Sequence, residues 1–126
     1  MATSYTEAYH TGAFLISEGD GKISRENATV ASGQNLAAGT VVMDNGSGKL
    51  VAHDGLLDTA GDVITAAKGI LYAAVDASSG DVTNCTYIAR LAEVNDNLIT
   101  YPTESTAGGE KAGVVASLKL LDIITR

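Results

Sequence analysis

The segment Asn35–Gly55 reads NLAAGTVVMDNGSGKLVAHDG and contains two short apolar runs on either side of a turn sequence. The runs are GTVVM at Gly39–Met43 and KLVAH at Lys49–His53. Short runs of β-branched and aliphatic residues bounded by turn residues are typical of β-strands. Between the runs, Asn45-Gly46 supplies the positive φ that a tight hairpin turn requires. The segment therefore predicts a β-hairpin.

The run Gly46-Ser47-Gly48-Lys49 within this hairpin also resembles part of a phosphate-binding loop. Such a loop has the pattern GxxxxGK[ST] and lies between a buried strand and a helix. Here Met43 occupies the position of the first glycine, and Leu50 replaces the hydroxyl residue that would bind Mg²⁺. The residues that follow indicate a strand and not a helix. The sequence therefore favours a hairpin turn over a phosphate site.

Further strands are predicted on both sides of the hairpin from the same kind of pattern. Between them, Leu56–Lys68 contains Gly61 and three consecutive β-branched residues, which favour loop and strand over helix. The predicted strands are RENATVAS at Arg25–Ser32, GILYAAVDA at Gly69–Ala77, CTYIARLAEV at Cys85–Val94 and NLITY at Asn97–Tyr101.

One helix is predicted near the C-terminus, where apolar residues follow a helical spacing. Val114, Leu118 and Leu121 lie at i, i+4 and i+7, whereas Lys111 and Lys119 fall on other faces. The apolar residues 123–125 that follow predict a last short strand. The fold class predicted from these elements is α+β and mainly β.

Composition limits the classes of partner and compartment. The chain has 126 residues, which predicts one domain, and a net charge of −7 from 8 basic and 15 acidic residues. Because nucleic-acid binding relies on clustered Lys and Arg, we expect no nucleic-acid partner. No run of about 18 apolar residues occurs, so no membrane span is expected. The lone Cys85 and the absence of a signal-peptide pattern predict cytoplasmic folding without disulfides.

The first 22 residues differ from the remainder and predict a separate N-terminal segment. They show neither helical nor strand periodicity, yet they carry apolar side chains between polar and glycine spacers. Two interpretations remain open: a frayed terminus, or an arm that becomes ordered on a partner. The side chains that favour a binding arm are Tyr5, Tyr9, Phe14, Leu15 and Ile16.

Residues able to carry catalysis are few and dispersed. His53 and Asp54 are adjacent, so on an extended strand they point to opposite faces and do not converge. His10 lies in the N-terminal segment, and Cys85 lies in a strand pattern that predicts a buried thiol. The carboxylates Asp58, Asp62, Asp76 and Asp81 fall in turn-like stretches. We therefore predict no catalytic, metal or cofactor-binding site, and no enzyme activity.

The order of these motifs resembles the head decoration proteins of tailed bacteriophages, the family of the phage lambda protein. Family members combine an LxxGTV(L/M) strand, a turn, a K(L/V) strand, a DG pair, a GILxxAVD segment and a strand ending near (R/G)xAEV. In this chain the corresponding residues are Leu36–Met43, Lys49-Leu50, Asp54-Gly55, Gly69–Asp76 and Arg90–Val94. The resemblance covers about residues 25–126. The stretch 56–68 looks longer than in the phage lambda protein.

The resemblance implies a compact β-rich domain of β-tulip or barrel-like form, residues 23–126, with a C-terminal helix and a flexible arm, residues 1–22. It implies a homotrimer on the outer surface of the expanded head, at local three-fold sites. There it would bind the major capsid protein, partly by strand addition through the arm, and stabilise the head against the pressure of packaged DNA. The protein would be made in the host cytoplasm and located in the virion.

Two other functions remain compatible with the residues. One is a different virion structural component, associated with the tail or fibre. The other is a small β-rich ligand-binding module that uses His53 and Asp54 in a cleft.

Overall fold

The computed structural model describes residues 7, 10–20, 22–106 and 108–126. The strands are β1 Leu15–Glu18, β2 Arg25–Val30, β3 Asn35–Leu36, β4 Val41–Asp44, β5 Leu50–Ala52, β6 Ala67–Leu71, β7 Val75–Asp76, β8 Val82–Ile88, β9 Ala92–Val94 and β10 Ile123–Thr125. A 3₁₀ turn covers Asp96–Leu98, and the helix α1 covers Glu110–Lys119. The predicted α+β, mainly β fold with a C-terminal helix is confirmed.

Five strands form a closed barrel in the order β2-β5-β4-β6-β8. Neighbouring strands are antiparallel except at the closure, where β2 and β5 run parallel through the pair Val30 and Leu50. A three-stranded sheet in the order β1-β9-β10 lies outside the barrel, with β9 antiparallel to β1 and parallel to β10. The short strands β3 and β7 form a separate pair.

The apolar core consists of two clusters of buried side chains. One lies where the barrel, α1 and the three-stranded sheet meet, and includes Phe14, Ile70, Ile88, Val94, Val114, Leu118 and Ile123. The other includes Val30, Val42, Leu50, Leu71, Cys85 and Tyr87, which come from the barrel strands. Because the first cluster draws on the barrel, α1 and the outer sheet, burial of its side chains stabilises these elements together.

The predicted hairpin at residues 39–53 is confirmed. Met43 pairs with Val51 across β4 and β5, and the intervening turn uses positive φ at Gly46 and Gly48, 92° and 81°. Asp44 Oδ1 accepts hydrogen bonds from the main-chain N–H groups of both glycines. The side chain of Lys49 forms an ion pair with Asp81, with Nζ and Oδ2 2.6 Å apart. The lysine that resembled a phosphate ligand therefore pairs with a carboxylate of its own chain.

The prediction of one strand over Cys85–Val94 is wrong. β8 ends at Ile88 and β9 begins at Ala92 in the other sheet, because Leu91 adopts a φ of 51° that redirects the chain. Main-chain bonds fix this break: Ala89 N–H donates to Ser24 O, and Leu91 N–H donates to Leu121 O. These partners lie far away in sequence, whereas the local apolar pattern continues unbroken through the corner.

The predicted strand at Asn97–Tyr101 is also wrong. Asn95 Oδ1 accepts a hydrogen bond from Asn97 N–H and thereby caps a 3₁₀ turn over Asp96–Leu98. Only Thr100 keeps a strand-like contact, an isolated bridge to Thr40. Side-chain bonding to the local backbone thus competes successfully with strand formation here.

The predicted helix is confirmed at Glu110–Lys119, with Val114 and Leu118 fully buried and Leu121 just beyond its end. The segment 56–66 is a loop, as predicted, with one bridge between Leu57 and Val63. These two side chains pack against Gly113 of α1, where a Cβ would lie 2.9 Å from Leu57 Cδ2. Within the described ranges, no helix has the length and apolar character to cross a membrane.

Candidate functional site

The five side chains predicted to form a binding arm do not share one environment. Tyr5 and Tyr9 lie outside the described residues. Phe14 is 1% exposed and belongs to the core, and Leu15 is partly buried in β1. Ile16, at 54% exposure, faces solvent. Of the three described members, only Ile16 therefore presents a large part of its side chain for binding.

The chain from Gly12 onwards is joined to the folded body. Gly12 N–H donates to Tyr72 O at 2.9 Å, and Asn95 N–H donates to Phe14 O at 2.7 Å. β1 then pairs with β9 from Leu15 opposite Val94 to Glu18 opposite Ala92. This arrangement differs from the predicted boundary, which assigned residues 1–22 to an arm and 23–126 to the domain. The reason is that Phe14 and Leu15 have enough apolar surface to be buried.

β1 is an edge strand that lies within the predicted arm. It pairs with β9 on one side, and its other side pairs with no strand in the described ranges. The register shifts between Leu15 and Ser17, so Ile16 lies in a bulge. Bulges interrupt the regular ladder of an edge strand and re-aim side chains. Here the bulge coincides with the exposed Ile16.

Polar contacts hold the C-terminal half of β1. Ser17 Oγ donates to Glu93 Oε2 at 2.8 Å, and Arg126 donates to Glu93 Oε1, an arrangement that lowers the pKa of Glu93 chiefly through the Arg126 bonds. Arg25 forms a bidentate pair with Glu18 at 2.6 and 2.9 Å and lowers the pKa of that carboxyl. The outer sheet is thus joined to its neighbours by charged groups that remain ionised near neutral pH.

His53 and Asp54 have different hydrogen-bond partners, and the histidine is buried. It is 4% exposed, its Nε2 lies 2.8 Å from Thr65 O, and its Nδ1 accepts a hydrogen bond from Gly55 N–H. This pattern requires the tautomer with the proton on Nε2. Asp54 instead accepts a hydrogen bond from Leu56 N–H. His53 therefore connects the start and the end of the loop between β5 and β6, which we call the 54–66 loop.

Four of the other polar candidates, Cys85, Asp58, Asp76 and Asp81, are buried or bonded within their own fold. Cys85 is a buried free thiol, as predicted. Asp58 and Asp76 accept main-chain hydrogen bonds in their own turns, and Asp81 accepts one from Ser32 N–H. In the described part of the chain, no group of three or more His, Cys, Asp or Glu residues is arranged to hold a metal ion.

Comparison with known proteins identifies the relationship suggested by the sequence motifs. A family model described as bacteriophage lambda head decoration protein D matches residues 4–123. The match includes all five predicted arm residues together with the barrel, α1 and the outer sheet as far as Ile123. A search of curated proteins gave no significant match.

Proposed function

The chain belongs to the family of the bacteriophage lambda head decoration protein D, and we propose from this premise that it decorates the head of a tailed phage. In this proposal it forms a homotrimer, binds the major capsid protein at local three-fold sites on the outer surface of the expanded head, and stabilises the head against the pressure of packaged DNA. It acts as a structural protein without enzyme activity.

The family match is the observation that carries this proposal, because it extends over residues 4–123 and so includes both the domain and the N-terminal segment. The net charge of −7 also suits a protein that contacts other proteins and not packaged DNA. The proposed site of action is the virion surface, after synthesis in the host cytoplasm.

We further propose that the residues before Gly12 bind the capsid protein by strand addition. Main-chain hydrogen bonds would supply affinity, and alternate side chains would supply specificity. Tyr5 and Tyr9 are the aromatic anchors in this segment, and Ile16 in the edge strand β1 extends the apolar contact. Three arms on one trimer would raise the effective concentration of the second and third arm, so each contact can be weak by itself.

The test of the proposed function is to add the purified protein to expanded, undecorated capsids of the phage that encodes it. We expect saturable binding, and capsids that withstand a higher temperature after binding. Light scattering of the free protein should give three times the chain mass of 12.8 kDa. Absence of saturable binding, or binding without a gain in heat resistance, contradicts the proposal.

Removing residues 2–9 should weaken capsid binding at least about tenfold while leaving the thermal unfolding midpoint unchanged. This cut ends before Gly12 and Phe14, so the core and the β1–β9 pairing are retained. A cut through residue 20, to which the predicted arm boundary would lead, also removes β1 and Phe14 and therefore confounds binding with unfolding. Capsid co-sedimentation measures the affinity, and calorimetry measures the midpoint.

A matched pair of full-length variants tests whether the affinity comes from the tyrosine side chains or from the mere presence of the segment. The double variant Tyr5→Ser, Tyr9→Ser should reproduce most of the loss, whereas Thr3→Ala, Thr6→Ala should bind as the unaltered protein does. Equal binding by the unaltered protein, the protein lacking residues 2–9 and both double variants would show that the segment does not contribute to capsid binding.

A further inference from the structure

Glu110, the first residue of α1, has a buried carboxylate with one oxygen unused. The residue is 7% exposed, and its Oε1 accepts a hydrogen bond from Ser105 N–H at 2.9 Å. Its Oε2 is the one buried side-chain nitrogen or oxygen without a hydrogen-bond partner in the described ranges. A buried polar atom without a partner loses its hydration and gains nothing in return, so such atoms are rare and each calls for an explanation, such as a bound water, an ion or a partner group.

Glu110 lines a surface pocket of about 390 Å³ between the loop at residues 54–66 and the start of α1. Apolar and polar groups share its walls. The side chains that define it are Asp54, Leu56, Leu57, Thr103, Ser105 and Glu110. Gly55 makes the close packing possible, because a Cβ there would lie 2.9 Å from Pro102 Cβ and 3.2 Å from Glu110 Cβ.

The pocket carries negative charge that the described residues do not neutralise. Hydrogen bonds from Ser105 lower the pKa of Glu110, so the carboxylate is ionised at neutral pH. No basic side chain pairs with Glu110 or Asp54 in the described ranges. The adjacent Lys111 is directed elsewhere, because its Nζ lies 2.9 Å from Asp96 Oδ2.

Leu56 gives the pocket an apolar rim. Its side chain is 59% exposed, and Ile64, 65% exposed, lies opposite it, since Ile64 N–H donates to Leu56 O. Their neighbours Leu57 and Val63 face α1 instead and fix the loop against the helix. An exposed leucine beside a buried carboxylate matches the two parts of a basic side chain, an aliphatic stem and a charged head.

We propose that this pocket, the Glu110 pocket, binds a lysine or arginine side chain of a partner protein. The stem lies along Leu56, and the head donates to Glu110 Oε2 and reaches the carboxylate of Asp54. An anion is disfavoured by the two carboxylates, and a purely apolar side chain would leave Oε2 without a partner. That the partner is the major capsid protein rests on the proposed function, whereas the chemistry of the occupant rests on the pocket alone.

The first arm of the test uses a small probe and no capsid. N-acetyl-arginine amide is titrated into the purified protein while amide chemical shifts are recorded. We expect saturable, millimolar binding with shifts at residues 54–57 and 105–110, and loss of those shifts in Glu110→Gln. Gln keeps an oxygen that can accept from Ser105 N–H, so the helix start is preserved. Asp122→Asn is the matched control, because it removes one exposed charge at a positive φ that Asn tolerates.

The second arm measures capsid binding of the same three proteins. Glu110→Gln should bind about tenfold more weakly or worse, because an unpaired buried charge on the partner costs affinity, and Asp122→Asn should bind as the unaltered protein. If the unaltered protein does not bind capsids, the proposed function fails. The probe titration still tests whether the pocket binds a basic side chain. The inference is overturned if the probe still shifts the same amides in Glu110→Gln. It is also overturned if Glu110→Gln binds capsids with the same affinity as an unaltered protein that binds normally. A loss of the trimer in Glu110→Gln also overturns it, since the occupant is then a second copy of this chain.

Discussion

Replacing Phe14 by alanine should lower the free energy of unfolding by about 3–5 kcal/mol, the range for truncating a buried phenylalanine. Phe14 is 1% exposed and packs in the cluster that joins the barrel to α1 and the outer sheet. Truncation leaves a cavity between elements that are themselves held by other contacts, so the site cannot collapse fully. Urea denaturation of the variant, compared with the unaltered protein, measures the loss.

Ile16→Ala provides the matched control two residues away. Ile16 is 54% exposed in the bulge of β1, so its truncation should change the free energy of unfolding by less than about 1 kcal/mol. The reverse result, a stable Phe14→Ala variant, would place Phe14 in a detachable arm, as the sequence alone predicted. The pair therefore locates the boundary between arm and domain by measurement.

The sequence was sufficient to predict the elements whose signals are local. The hairpin of β4 and β5 follows from two apolar runs around Asn45-Gly46, and α1 follows from the spacing of Val114 and Leu118. The corner at Leu91 was not predictable in this way. Its φ of 51° depends on hydrogen bonds to segments around Ser24 and Leu121, which no local pattern reveals.

Among the candidate binding residues, too, some features follow from local sequence and others depend on long-range contacts. Apolar side chains before residue 17 were visible from composition, but only tertiary packing distinguishes the buried Phe14 from the exposed Ile16. Glu110 carried no sequence signal, because an acidic residue in the first turn of a helix is ordinary. Its buried, unpartnered oxygen results from the 54–66 loop packing beside α1, a long-range contact that periodicity does not encode.

Gly69→Ala should destabilise the protein by about 3 kcal/mol or more, which is at the upper end for overpacking in a core. Gly69 lies in β6, opposite Val42 of β4 and beside the backbone of β8. A Cβ at this position would lie 2.1 Å from Ile88 O and 2.9 Å from Tyr87 Cδ2. The first of these atoms belongs to the backbone of β8, so relief requires the two barrel strands to separate and disturbs the adjacent pair of Ile70 and Ile88.

Gly80→Ala provides a control for this steric effect, because the two glycines have nearly the same φ angle. Their φ angles are 158° and 159°, but a Cβ at Gly80 would meet nothing within 4 Å. The cost of a side chain at this φ angle is therefore common to both variants, and we expect the difference between their free energies of unfolding to report the contact with β8. If both variants unfold at the same urea concentration, the close approach of β6 and β8 is not what requires glycine in the GILYAAVD segment. A large difference would instead identify that segment's glycine as a packing requirement for closing the barrel.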